Sequence, residues 1–303
     1  MSKNTESKNP DEDYVMKKIK KGDKKCAPTK TFEFGSCISL DLLIKMTKAY
    51  NEINEPKIVL DNSLNTLNPG KYKLFLVKQF YDKLKCSDQK CWLRQEFIKL
   101  LKSEDRDELM RNTLRPIGPQ GKFEWLSTSH IDNVIYQYEK KYKSFKFIGA
   151  LPINFYTMPP IVPNMDDIYA IRESQFDKFI DEGKTKIGMI CNLDEHWQPG
   201  SHWVAVYCDF DTGEVYFFDS YGTRPDEEIK IFMRDVANFI KNKLKKTPIV
   251  SYNNIRHQFK NSECGVYSIN FILRLLKGDS FKQIIKDKTP DDVINKCRDT
   301  YFI

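Results

Sequence analysis

The sequence predicts an α+β fold, with a small central mixed sheet packed by helices and a helical region in front of it. Three observations carry this reading. Apolar residues return at intervals of three and four through the first third of the chain. Short β-branched and aromatic runs cluster after residue 185, and strong helical patterns lie between and beyond them. At 303 residues there is room for one large domain or two smaller ones. A hydrophobic fraction of 40%, with 13% aromatic residues, excludes a disordered chain.

Residues 1–30 read as a basic polar tail. Three amphipathic helices follow, over 38–53 (ISLDLLIKMTKAYNEI), 71–84 (KYKLFLVKQFYDKL) and 89–104 (QKCWLRQEFIKLLKSE). DNSLNTLNPG separates the first two with loop chemistry, and a charged segment leads to RPIGPQGK (115–122), whose Pro and Gly mark a domain boundary. Residues 31–115 are therefore expected to form a helical N-terminal domain, and residues 116–303 a second domain. The second opens with a helix, WLSTSHIDNVIYQYEKKY, which Ser127, Thr128 or Ser129 can cap. Strands are expected over 186–193, 202–209, 214–220 and 247–252. Helices are expected over 224–244 and 262–278, and two short helices close the chain.

No N-terminal apolar stretch suits a signal peptide, and no run approaches the roughly 18 apolar residues of a membrane span. The expectation is a soluble protein of a reducing compartment, its eight cysteines free thiols. CSDQKC (86–91) is a poor zinc signature, and a four-thiolate site with Cys26 and Cys37 ranks below ordinary buried cysteines. The net charge of +7 is unevenly placed. Residues 1–115 hold 24 Lys and Arg against 17 Asp and Glu, whereas residues 116–303 hold 25 of each. A basic arm of this kind suits DNA or another polyanion, although no interleaved aromatics support base stacking, and a solvated tail accounts for it as well.

The chemistry lies in the second domain. HWVAVYCD and EVYFFDS, joined by FDTG, read as a β-hairpin. A turn centred between Phe210 and Asp211 sets His202 opposite Asp219, unless a bulge at Gly213 shifts the register. A carboxylate beside an imidazole fixes the ring's tautomer and stabilises its protonated form. His196, in the loop before QPGS, has no such partner. Cys264 stands where HQFKNSE becomes a helix that Asn261 or Ser262 can cap, and a helix N-terminus favours thiolate. Gly265 leaves space for a substrate backbone near the sulfur. Gln258, six residues before the cysteine, carries an amide able to donate to an oxyanion. His257 is a lesser candidate for the base.

His202, Asp219 and Cys264, spaced by 17 and 45 residues with Gln258 six before the cysteine, resemble the ubiquitin-like-protein-specific and adenovirus-type proteases. These form one clan of papain-like cysteine peptidases in the order His, Asp or Asn, Cys. WLSTSHIDNVIYQY, CNLDEHWQPGSHWVAVYCD, FFDS and NNIRHQFKNSECGVYSINFI carry the likeness over roughly residues 115–303. It is closest to the virion core proteases of large nucleocytoplasmic DNA viruses, of the African swine fever virus type. The WQPGS loop and the extra His-Trp pair depart from cellular relatives.

The resemblance implies a papain-like, adenain-like core and a cysteine endopeptidase that needs neither metal nor organic cofactor. Cleavage would follow small, Gly-Gly-like residues of viral polyproteins during virion maturation, in the virion and the host cytoplasm. Trp125 and Trp203 would line a narrow tunnel for two small residues, with Asn192 at the strand entry. His196 and Trp197 would form the rim of the groove. Deconjugation of SUMO- or ubiquitin-like proteins is the main alternative. An acetyltransferase of the same clan and a non-enzymatic binding module are weaker ones.

Overall fold

The computed structural model describes residues 10–61, 63, 67–156 and 173–303. The chain divides into two compact units, residues 1–116 with 302–303, and residues 117–301.

In the first unit, helix α1 (Pro10–Lys18) lies inside the stretch read as a polar tail, and buries Val15. Two charges of that basic stretch are engaged within the unit: Lys25 donates to the Phe302 carbonyl at 2.8 Å and Lys30 pairs with Glu108. Helices α2 (Leu40–Ile53), capped by Ser39, and α3 (Pro69–Lys83), capped by Asn68, match the apolar spacing. The helix expected over 89–104 is broken. Only Gln89–Trp92 is α-helical (α4), Gln95 is extended, and Glu96–Leu100 forms a 3₁₀ turn. Trp92, Leu93, Phe97 and Ile98 are nevertheless all buried, with Phe97 packed against Tyr50 and Phe80. The apolar pattern reported burial, and two short turns satisfy it as well as one helix would. Helix α5 (Ser103–Asn112) occupies the charged segment, with Glu104 and Asp105 at its positive end.

The cysteine expectation is corrected here. Cys26–Cys37 and Cys86–Cys91 are disulfides, with Cα separations of 5.4 and 5.6 Å, well inside the usual range. Composition speaks to compartment, whereas pairing depends on which cysteines the fold brings within reach. Cys191, Cys208, Cys264 and Cys297 remain free.

In the second unit a five-stranded mixed sheet runs in the order β1 (Phe145–Pro152), β2 (Lys186–Asn192), β3 (Trp203–Asp209), β4 (Glu214–Phe218), β5 (Ile249–Tyr252). The outer pairs are parallel and the two inner pairs antiparallel. Strand β1 was not expected, because Gly149 and a register shift between Phe147 and Ala150 interrupt its alternation. Helix α7 (Glu173–Asp181) was likewise unread. Every residue of β3 is buried, as befits a strand covered on both faces. One face of the sheet packs on α8 (Glu227–Asn242) through Phe217, Phe232 and Phe239. The other packs on α9 (Cys264–Leu276), where Phe218 stacks on Phe271 and Ser268 Oγ donates to the Trp203 carbonyl. Helix α6 (Thr128–Lys141) starts in a capping box, Ser127 with His130, which accounts for the fourth histidine of the chain. Three short helices, Phe281–Lys286, Asp291–Lys296 and Arg298–Tyr301, stand where two were expected.

The hairpin register differs from the sequence reading. Asp209 pairs with Glu214 and Ala205 with Phe218, so His202 lies opposite Tyr221 rather than Asp219. The turn is longer than expected and closes at Gly213, whose φ is +81° and where a Cβ would meet the Thr247 carbonyl oxygen at 2.9 Å, so the position suits glycine. A shift of two residues preserves the face of the sheet, so His202 still meets Asp219 diagonally.

Candidate active site

His202 stands one residue before β3 and Asp219 one residue after β4, where the strands part and the side chains can converge. His202 Nε2 and Asp219 Oδ1 are 2.6 Å apart, in residues only 8% and 2% exposed. The backbone N–H groups of Tyr221 and Thr223 donate to the same carboxylate at 2.9 and 3.1 Å. Burial opposes ionisation of Asp219, but the hydrogen bond from His202, the Tyr221 N–H and the imidazolium charge outweigh it. The carboxyl is held below its ordinary range. Burial also opposes the charge on His202. Its hydrogen bonds to Asp219 and Cys264, and their charges, prevail and push it up to about 9. The ring is therefore protonated at neutral pH.

Cys264 is buried and is the first residue of α9. The cap expected from Asn261 or Ser262 is absent. Glu263 holds the N-cap position without a side-chain cap, and its carboxylate instead accepts from Ser262 N and Oγ at 2.9 and 2.8 Å. The N-cap side chain thus leaves the first-turn N–H groups beside the sulfur uncapped. A Cβ on Gly265 would meet Leu126 at 3.1 Å and Trp203 at 3.3 Å, so the missing side chain makes room for these protein atoms.

Gln258 is fully buried; its Oε1 accepts from Ser220 Oγ at 2.6 Å and its Nε2 donates to the Lys260 carbonyl at 2.7 Å. The amide keeps a second N–H. His257 is buried against Phe218 and Tyr267, and burial pushes its pKa down, away from the site's own pair.

A cavity of about 480 Å³ is lined by Trp125, Leu126, Leu151, Asn192, His196 and Trp203, among others. Trp203 is 6% exposed and donates from Nε1 to the Leu126 carbonyl at 2.8 Å, whereas Trp125 is 51% exposed. Asn192 braces the loop above the cavity, its Oδ1 accepting from Asp194 N and Ser201 N at 3.0 and 3.1 Å. His196 is exposed, 3.0 Å from Asn154 Nδ2. Trp197, 67% exposed, packs edge-on to His196 and is not part of the lining.

Sequence reasoning missed the scaffold of the site. Asn253 accepts from the Asp219 N–H at 2.8 Å and donates to its carbonyl at 2.7 Å, and Ser220 O accepts from His257 N and Gln258 N. Tyr221 stacks on His202, centroids 4.5 Å apart and planes 12° from parallel. Only the spacing of Tyr221, two residues beyond the acid, hinted at this. Among the described residues no cluster of three or more His, Cys, Asp or Glu could hold a metal ion, and no helix is long and apolar enough to cross a membrane.

An imidazole locked on a carboxylate and placed beside a cysteine at a helix start is the working arrangement of a cysteine peptidase. The sequence profile described as the Ulp1 protease family, C-terminal catalytic domain, matches residues 186–301. A thiol protease of Acanthamoeba polyphaga mimivirus is 36% identical over 279 residues, 89% of this chain and 90% of the relative. The cysteine protease of African swine fever virus is 24% identical over 272 residues, 87% of this chain and 99% of that one. The crystal structure of an African swine fever virus protease shares the fold, with a TM-score of 0.58 at 20% identity, over 95% of this chain and 98% of that one. The chain belongs to the Ulp1 protease family of cysteine peptidases.

Proposed function

We propose that the protein is an endopeptidase that cleaves after small, Gly-Gly-like residues and processes viral structural polyproteins during virion maturation. The observation that carries this reading is the buried His202–Asp219 pair, 2.6 Å apart, together with Cys264 as the first residue of α9. Cys264 Sγ bonds to the carbonyl carbon and its proton resides on His202. The oxyanion is met by Gln258 Nε2 and the first-turn N–H groups. Collapse breaks the C–N bond, and His202 gives its proton to the leaving amine. Water, deprotonated by His202, then hydrolyses the thioester and restores the thiol.

Trp125 and Trp203 both line the cavity, and rings at those positions are what the small-residue preference of this reading requires. The viral sources of the relatives support a place in the virion and the host cytoplasm. Residues 117–301 contain every group used, and make up the catalytic domain in this reading. The test is mass spectrometry after treatment with a Gly-Gly vinyl sulfone. Labelling at Cys264 that is lost in His202→Ala supports the reading, and an unlabelled native protein refutes it.

A second reading, deconjugation of a ubiquitin-like protein, uses the same residues. It is favoured by the name SUMO-1 cysteine protease carried by African swine fever virus relatives. Release of SUMO from a conjugate without cleavage of a viral polyprotein would select it.

A further inference from the structure

One exposed cation lies at the junction of two parts of the site. The Arg256 guanidinium sits 5.1 Å from the Tyr221 ring centroid and 5.0 Å from that of Phe259. Tyr221 is also stacked on the His202 imidazole, centroids 4.5 Å apart. His202, Tyr221, Arg256 and Phe259 thus form a series of contacts from the buried base to the exposed Phe259 ring. Arg256 Nε also donates to the Gln258 carbonyl at 2.7 Å. The turn after Asp219 and the segment before Gln258 are pressed together at this place. A Cβ on Gly222 would meet Ile255 C at 2.8 Å and Arg256 N at 2.9 Å.

We propose that Arg256 is a positioning residue that ties the general base to the oxyanion donor, clamping Tyr221 on the His202 ring while it holds the Gln258 backbone. This inference rests on the peptidase reading above. The physical requirements are specific to arginine. A flat guanidinium can contact two rings at once and keep an in-plane N–H for the carbonyl, whereas a lysine ammonium offers charge without a plane. Tyr221 in turn covers one face of an imidazole that Asp219 holds only at its edge, which leaves the ring a single swing freedom that stacking removes. Arg256 touches no reacting atom, so its influence passes through its neighbours.

The experiment uses the full chain and a Gly-Gly-aminomethylcoumarin substrate. Arg256→Ala is expected to lower kcat about tenfold at unchanged KM, because alignment rather than binding is lost. Tyr221→Ala is expected to do the same, and the double variant to fall well short of the product of the two losses. Arg256→Lys is expected to recover little. Because Arg256 is exposed, Arg256→Ala and Arg256→Lys should keep the native melting midpoint, and Phe259→Ala offers a milder second removal of the clamp with a smaller loss in the same direction. Multiplicative losses, full rescue by lysine, or a raised KM with kcat intact would each overturn the proposal. If the native chain neither cleaves nor labels at Cys264, the peptidase reading falls and takes this inference with it. An active native chain whose Arg256→Ala variant keeps full kcat removes the inference alone.

Discussion

The chain contains the dipeptide His-Trp twice within eight residues, and the two copies have opposite fates. His202 and Trp203 enter β3, are buried, and are bonded to Asp219 and the Leu126 carbonyl. His196 and Trp197 lie in the loop before the strand, exposed, with the His196 ring edge-on to Trp197 and 3.0 Å from Asn154 Nδ2. The residues are the same, so the difference comes from what surrounds them. Burial makes a carboxylate partner decisive for one imidazole, whereas the exposed one faces water and the neutral amide of Asn154.

The sharpest way to break this contrast is to delete each imidazole in turn. His202→Ala should lower kcat/KM by at least about a thousandfold in a peptide cleavage assay, and His196→Ala should stay within about twofold. A loss of similar size in both would make the loop histidine part of the chemistry and dissolve the distinction.

Asp219→Asn tests why the buried ring differs. Because the folded pKa of His202 is raised, the imidazolium persists until the pH passes about 9, and kcat/KM should decline along a limb near that value. The variant should move that limb down toward the ordinary 6.5 and cost about a hundredfold in kcat. The same sign governs stability. The pair's contribution through His202 is complete below about 6.5 and lost as the pH rises through about 9. An alkaline limb that does not move would show that another group sets it.

Gln258→Ala probes the other side of the site, and is expected to lower kcat about a hundredfold with little change in thiol alkylation, which needs no oxyanion stabilisation. The tryptophans then give the smallest comparison, read in unfolding. Trp203→Ala should cost about 3 kcal/mol or more, whereas Trp197→Ala should cost less than about 0.5 kcal/mol. Equal costs would mean that the loop pair is buried by something in solution.

Much of this was legible in the sequence, and the failures share a cause. The contact of His202 with Asp219 and the place of Cys264 at a helix start were legible because each residue stands at the end of a recognisable element. Strand β1 was not, since Gly149 and a register shift break its alternation. The hairpin was placed two residues out of register, and the error was harmless because side chains alternate with period two. The cysteines of the first unit were expected to be free, and the fold pairs them.

The sequence by itself determined the α+β class, most of the helices and the residue types that carry the chemistry. Periodicity and chemical character are local properties, and they survive whatever the rest of the chain does. Only the tertiary structure decided that Tyr221 lies over the base, that Asn253 grips the backbone of Asp219, and that Arg256 sits between two rings beside Gln258. Those contacts join segments that are remote or differently oriented along the chain. Their existence depends on how strands and loops close in space, which no spacing of residues encodes.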